Sequence, residues 1–174
     1  MHRAYLSLGS NIDREANIRS ALFALEKVFG ALAVSPVYES EAVGFSGAAF
    51  FNLIVAVETN LSIEQLVGQL KQIEDQHGRD RSGAKFSSRS LDIDLVTYDE
   101  KTGTFSGVEL PRPELFYNAF VLLPMADLLG KSVEPKTGQT YSSLATTLDH
   151  TQKLWHVDFA LPADLKRVKT LVAQ

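Results

Sequence analysis

Apolar residues recur along this chain with two different periods, and the order in which those periods alternate leaves few folds open. Ala4 to Leu8 is a short apolar segment that runs into Gly9-Ser10-Asn11, a turn cluster. Ile18, Leu22, Leu25, Val28 and Phe29 then repeat at helical spacing, with Gly30 as the stop. Ala33 to Tyr38 predicts a strand, Gly44-Phe45-Ser46-Gly47 a loop, and Phe51 to Glu58 a second strand. Ser62 opens another helix: Gln65, three residues on, completes a capping box. Its stripe is Ile63, Leu66, Val67, Leu70 and Ile73, and Gly78 ends it. Leu91 to Tyr98 then begins with strict alternation, Leu91, Asp92, Ile93, Asp94, Leu95, which predicts a strand.

The succession is β-α-β-β-α-β, so the expected fold is α+β with a ferredoxin-like core. C-terminal additions follow: a turn around Gly103, Pro111-Arg112-Pro113, and an apolar helix-like run from Ala119 to Leu129. We expect a single domain over residues 1–174, with its core at about 3–130 and an extension from about 150 that holds a short strand or helix and a charged tail. A chain of 174 residues, 45% hydrophobic and 22% charged, can bury such a core. It has no cysteine, which excludes thiolate metal sites and thiol nucleophiles. The N-terminus lacks the apolar core of a signal peptide, and no apolar run reaches the roughly 18 residues of a membrane span. The expectation is a cytoplasmic protein without membrane contact. A net charge of −4 argues against a general nucleic-acid binder. A ferredoxin-like RNA binder is disfavoured further, because the third strand lacks the basic and aromatic pattern that stacks bases.

Two carboxylates carry the sharpest chemical signal. Side chains on a strand alternate, so Asp92 and Asp94 project from one face with Cα atoms roughly 7 Å apart. Mg²⁺ takes one or two carboxylates and fills its remaining positions with water and substrate phosphates. A strand with its polar face in water gives the same pattern. The preceding segment, Gly78 to Arg89, adds Arg79, Arg81, Lys85 and Arg89. Acids for a metal beside cations for phosphate is the charge layout of phosphoryl transfer. A solvated basic loop neutralising nearby acids satisfies the same residues. There is no P-loop and no dinucleotide glycine motif. His2, His77, His150 and His156 lack metal-ligand spacing, and Phe50, Phe51 and Phe120 would ordinarily be core.

Several segments in register resemble the 6-hydroxymethyl-7,8-dihydropterin pyrophosphokinase family. They are Tyr5-Leu6-Ser7-Leu8-Gly9-Ser10-Asn11, Phe50-Phe51-Asn52, Glu74 through Gly78-Arg79-Asp80-Arg81, Arg89-Ser90-Leu91-Asp92-Ile93-Asp94-Leu95, Leu110-Pro111, and Phe120-Val121-Leu122 with Pro124. The resemblance spans about residues 3 to 130. It implies transfer of pyrophosphate from ATP to the pterin, giving AMP and the pterin diphosphate in folate biosynthesis. It makes Asp92 and Asp94 the ligands of two Mg²⁺ ions, and with Arg79, Arg81 and Arg89 the catalytic set. Glu74 and Arg112 join the three loop arginines in binding ATP. Ser40, Val43, Gly44, Phe50, Asn52, Phe86, Asp92 and Phe120 would surround the pterin, with Phe120 stacked on its ring. The loop from Gly78 to Ser88 would act as a lid that moves until ATP binds. A monomer taking small-molecule substrates is the default.

The sequence departs from the family pattern in its substrate loops. Phe86-Ser87-Ser88 stands where Trp-Gly-Pro is usual, Arg112 replaces a histidine, Asn118 an arginine, and Glu41-Ala42-Val43-Gly44 a Pro-Pro-Leu-Gly type segment. These changes, with the unassigned tail from Trp155 to Gln174, leave a second reading open: a diverged paralogue that binds nucleotide, pterin or a partner without efficient catalysis.

Overall fold

A computed structural model describes residues 1–41, 47–78, 91–149 and 151–168. The first strand, β1 (His2–Ser10), leads into α1 (Arg14–Phe29). Ile18, Ala21, Leu22 and Leu25 are buried along one face of that helix, and it stops at Gly30, whose φ of 82° few other residues adopt. The expected strand at Ala33 to Tyr38 is two, β2 (Ala33–Val34) and β3 (Val37–Ser40). Pro36 has no N–H to give to the ladder, and Ser35 fills the gap: its Oγ accepts from the Ile54 N–H at 2.8 Å. The register on the neighbouring strand slips by one residue there, as at a bulge. That neighbour is β4 (Phe50–Thr59), which leads to α2 (Ile63–Gln76). Both bonds of the capping box are made, Ser62 N–H to Gln65 Oε1 at 3.0 Å and Gln65 N–H to Ser62 Oγ at 3.2 Å.

After β5 (Asp92–Tyr98) come a small hairpin of β6 (Gly103–Phe105) and β7 (Val108–Leu110), a 3₁₀ turn at Pro113–Phe116, and α3 (Ala119–Leu129). A short helix, α4 (Tyr141–Thr147), and a strand, β8 (Leu154–Val157), complete the described elements. The main sheet runs β5-β1-β4-β3-β8, with β2 also on β4, and its pairings are antiparallel. Its first four strands are those of the expected β-α-β-β-α-β unit. The extension contributes the fifth: β8 covers the edge of β3, an edge that would otherwise present unpaired backbone groups.

Alternation sends each strand's side chains to two different layers. Leu6 and Leu8 of β1, Leu53, Val55 and Val57 of β4, and Ile93 and Leu95 of β5 pack against Leu22, Leu25, Leu66 and Leu70 of α1 and α2. Tyr5, Ile54, Ala56 and Val96 face the other way, against Val121, Leu122 and Met125 of α3 and Tyr141 of α4. Each fully buried leucine contributes about 1.5–3 kcal/mol. The strict alternation of β5 ends in a register shift opposite Tyr5 and Leu6, after which Tyr98 returns to the α1/α2 layer.

Candidate active site

At one end of the α3 side of the sheet, polar residues line up across four strands. Gly9 pairs with Asp92 on one side and Asn52 on the other, and Asn52 pairs with Tyr38. One step away Ser7 pairs with Asp94, and Ser40 with Phe50. The turn expected at Gly9-Ser10 is strand instead, since β1 continues through both residues. The glycine is needed there because of close approach: a Cβ at position 9 would stand 3.2 Å from Asn52 Oδ1. Asn52 is buried, and its Nδ2 donates to Ser40 Oγ at 2.7 Å. The segment before β4 is tied to the start of α1, since Asn11 Nδ2 donates to the Ala48 carbonyl and Arg14 to the Ala49 carbonyl.

Asp92 and Asp94 do share a face, both half-buried, while Ile93 between them is buried. β5 is an edge strand, so the Ile93 N–H points away from β1 and needs another partner. Glu74, itself buried at the end of α2, supplies it: Oε2 accepts at 2.8 Å. Glu74 thereby locks the strand that presents the two aspartates. Outside this edge lies a cavity of about 220 Å³ whose walls include Val67, Leu70, Glu74, Ile93, Val108 and Arg112. The Arg112 N–H bonds the Val96 carbonyl at 2.8 Å, which pins this segment to β5. Its guanidinium stands 3.8 Å from Asp94 Oδ1 and donates through Nε to Glu114. Arg112 and Asp94 therefore both line this cavity.

A second cavity, about 230 Å³, is lined by Ser40, Glu41 and Phe120 together with Thr151, Gln152, Lys153 and Leu154. The three phenylalanines thus separate: Phe51 is buried in the α1/α2 layer beneath the Arg14 guanidinium, and Phe50 and Phe120 are half-buried on the site side. Of the other expected residues, Val43, Gly44, Arg79, Arg81, Phe86 and Arg89, with most of the expected lid, lie outside the described residues.

Sequence reasoning missed two features. Tyr38 donates to Asp127 Oδ2 at 2.6 Å, and the His156 ring lies 4.3 Å from the Tyr38 ring, centroid to centroid. Burial, then the bond and charge of Asp127, push the Tyr38 phenol far above its ordinary range, so it stays a neutral donor. The other is Gln152, which bonds the start of α3. Neither has a sequence signal, because the partners lie on distant segments. The remaining described histidines bond structural neighbours: His2 meets Asp99, and His77 meets Ser20 and the Ile73 carbonyl.

As a donor set, two carboxylates on one rigid strand with a guanidinium beside them suit a hard cation that shares its shell with phosphate oxygens. Among the described residues no group of three His, Cys, Asp or Glu is placed to hold a metal alone. Nor is any described helix long and apolar enough to cross a membrane.

A family model described as 7,8-dihydro-6-hydroxymethylpterin-pyrophosphokinase (HPPK) matches residues 5–130. The chain is 33% identical over 129 residues to the 2-amino-4-hydroxy-6-hydroxymethyldihydropteridine pyrophosphokinase of Bacillus subtilis, covering 72% of this chain and 77% of that protein. It is 35% identical over 155 residues to the folic acid synthesis protein fol1 of Pneumocystis carinii, covering 86% of this chain but only 20% of that protein. The fold is similar to wild-type Plasmodium falciparum HPPK-DHPS solved with pteroate, at a TM-score of 0.67 and 15% identity, over 83% of this chain and 42% of that one.

Proposed function

The chain belongs to the 7,8-dihydro-6-hydroxymethylpterin-pyrophosphokinase family, and from that premise we propose that it transfers the pyrophosphoryl group of ATP to 6-hydroxymethyl-7,8-dihydropterin in folate biosynthesis. The oxygen of the pterin hydroxymethyl group attacks the β-phosphorus of ATP and loses its proton. The bond from that phosphorus to the oxygen bridging it to the α-phosphorus breaks, which yields AMP and the pterin diphosphate. The observation that carries this reading is the row Asp92, Gly9, Asn52 across three strands. It sets Asp92, with Asp94 two residues along the same strand, across β1 from a buried amide of the kind that reads a heterocycle edge.

Each residue then has a part. Asn52, held by Ser40, offers its amide to the pterin edge. Phe50 and Phe120 bracket the ring, whose flat faces favour offset stacking. Val67, Leu70, Ile93 and Val108 offer apolar contact to the nucleoside, and Glu74 keeps β5 in place against them. Arg112, with Arg79, Arg81 and Arg89, answers the negative charge of the phosphates. Asp92 and Asp94 would hold Mg²⁺, two ions in this reading, whose chemistry is to neutralise phosphate oxygens as charge develops on them. Positioning and electrostatics suffice for this reaction, which needs no protein nucleophile. We take the enzyme to be a cytoplasmic monomer.

The test is pterin-dependent AMP formation by purified protein supplied with ATP and Mg²⁺. AMP and pterin diphosphate in equal amounts are expected. ATP and pterin binding without AMP would replace this reading with that of a binding paralogue.

A further inference from the structure

Beyond the matched span, the chain returns to the second cavity. β8 pairs with β3 so that Leu154 lies opposite Ser40, and the Glu41 N–H bonds the Lys153 carbonyl at 3.2 Å. Gln152 then reaches the other wall. Its Oε1 accepts from the Ala119 N–H at 2.8 Å and its Nε2 donates to the Tyr117 carbonyl at 2.7 Å. These are the two peptide groups flanking Asn118, so one side-chain amide engages that residue much as a neighbouring strand would.

The first turn of α3 has reason to need such a partner. Helix starts leave their N–H groups without intrahelical acceptors, and Asn118 makes no side-chain cap. Pro124, inside the helix, has no N–H to return to the Phe120 carbonyl four residues back. The turn that carries Phe120 therefore has Gln152 as a tie from outside its own helix, beside the bonds that the Val121 and Leu122 N–H groups give to the Asn118 carbonyl at 3.0 Å. A second tie joins the same elements, since Tyr38 of β3 bonds Asp127 of α3 and His156 of β8 lies on Tyr38, 3.8 Å from Asp127.

We propose that residues 151–154 form a wall of the pterin pocket, and that Gln152 is a positioning residue that fixes Phe120 at stacking distance from the pterin ring. The inference rests on the proposed function, since it supposes that the ligand of this cavity is the pterin. Loosening the first turn of α3 alters the site of the flat ring and leaves the nucleotide cavity at the far edge of β5 alone. The effect is therefore specific to one substrate, which general destabilisation would not be.

Steady-state AMP formation and direct pterin binding, followed by the pterin's own fluorescence, are measured for the wild type, Gln152→Ala and Gln152→Glu. Gln152→Ala loses both hydrogen bonds and should raise the KM and Kd for the pterin about tenfold. The KM for ATP and kcat should stay within about twofold. Gln152→Glu keeps the acceptor for Ala119 and should fall in between; it carries the test if the alanine variant fails to fold. An unchanged pterin KM overturns the inference alone, as does a rise in both KM values with a loss of kcat. A wild type that neither binds nor converts the pterin overturns the proposed function, and this inference with it.

Discussion

The two faces of the sheet are built from the same strands and filled in opposite ways. Against α1 and α2 the sheet is apolar along its length, and Leu6, Leu8, Leu53, Val55, Ile93 and Leu95 are all buried. On the other face the apolar part stops midway. Ile54, Ala56 and Val96 lie under α3, and further along the same three-strand platform come Asp92, Asp94, Asn52 and Phe50. The closed face fixes the backbone, and the open face uses that rigidity to hold polar groups at set positions, as a precise site requires. Stability and chemistry should therefore separate by face.

Asp94→Ala is the strongest way to break that comparison. We expect turnover to fall by about a thousandfold or more, the scale of losing a charged group that acts on the transferring phosphoryl. Asp94 is half-exposed, so solvent screens its ion pair and its loss should cost the thermal melt far less than it costs turnover. A variant that keeps normal turnover would remove the metal assignment. Leu53→Ala, one residue from Asn52 but on the closed face, should do the reverse. The leucine is fully buried, and its truncation should cost about 2–5 kcal/mol in urea unfolding. Its kcat, measured well below the unfolding midpoint, should stay within about twofold of wild type.

The part of the molecule legible in the sequence is the part that repeats. Ile18, Leu22 and Leu25, and Ile63, Leu66, Leu70 and Ile73, are buried as their spacing predicts, because a helix has one face to hide. Asp92 and Asp94 were legible for the same reason, since a period of two puts both on one side. Features that rest on a meeting of distant segments were not. The extension from about residue 150 reads equally as a short strand or a helix; Leu154 to Val157 is a strand because β3 offers it an edge to pair with. Gly9 looked like a turn because glycine usually is one, yet here its missing Cβ makes room for Asn52. Tyr38 with Asp127, and Gln152 with Ala119, are partners 89 and 33 residues apart, beyond any local pattern.

Gly9→Ala sharpens the comparison at the centre of the row. An added methyl would sit 3.2 Å from Asn52 Oδ1, and Asn52 cannot easily withdraw because its Nδ2 is held by Ser40. Alanine is otherwise better than glycine in a strand by up to about 1 kcal/mol. The two effects offset in the melt, so little change in unfolding is expected. The pterin KM should rise several-fold, on the order of one lost hydrogen bond, while the ATP KM stays put. A shift in the ATP value alone would mean that Gly9 serves the nucleotide side of the row.

The smallest effect belongs to the opposite end of the sheet, where Asp99 ties down the start of β1. Burial raises the Asp99 pKa, but the Arg3 N–H at 2.8 Å, the His2 ring at 2.7 Å and the charges of His2 and Lys101 outweigh it, and the net shift is downward. A carboxyl whose folded pKa lies below its unfolded value contributes stability above the unfolded pKa, and that contribution fades as pH falls through the folded one. The window is therefore acidic, from about pH 4 downward. Asp99 is more than a third exposed, so solvent screens the gain to below about 1 kcal/mol. Asp99→Asn keeps an oxygen for the Arg3 N–H and tolerates the φ of 51° found there. It should lower stability slightly at pH 7 and converge with wild type as the pH falls through the lowered folded-state pKa. Turnover should not change at either substrate, because no contact of Asp99 reaches the row of polar residues at the far end. A loss of activity in this variant would show that the two ends of the sheet are coupled, and that the separation of stability from chemistry holds between faces but not along the strands.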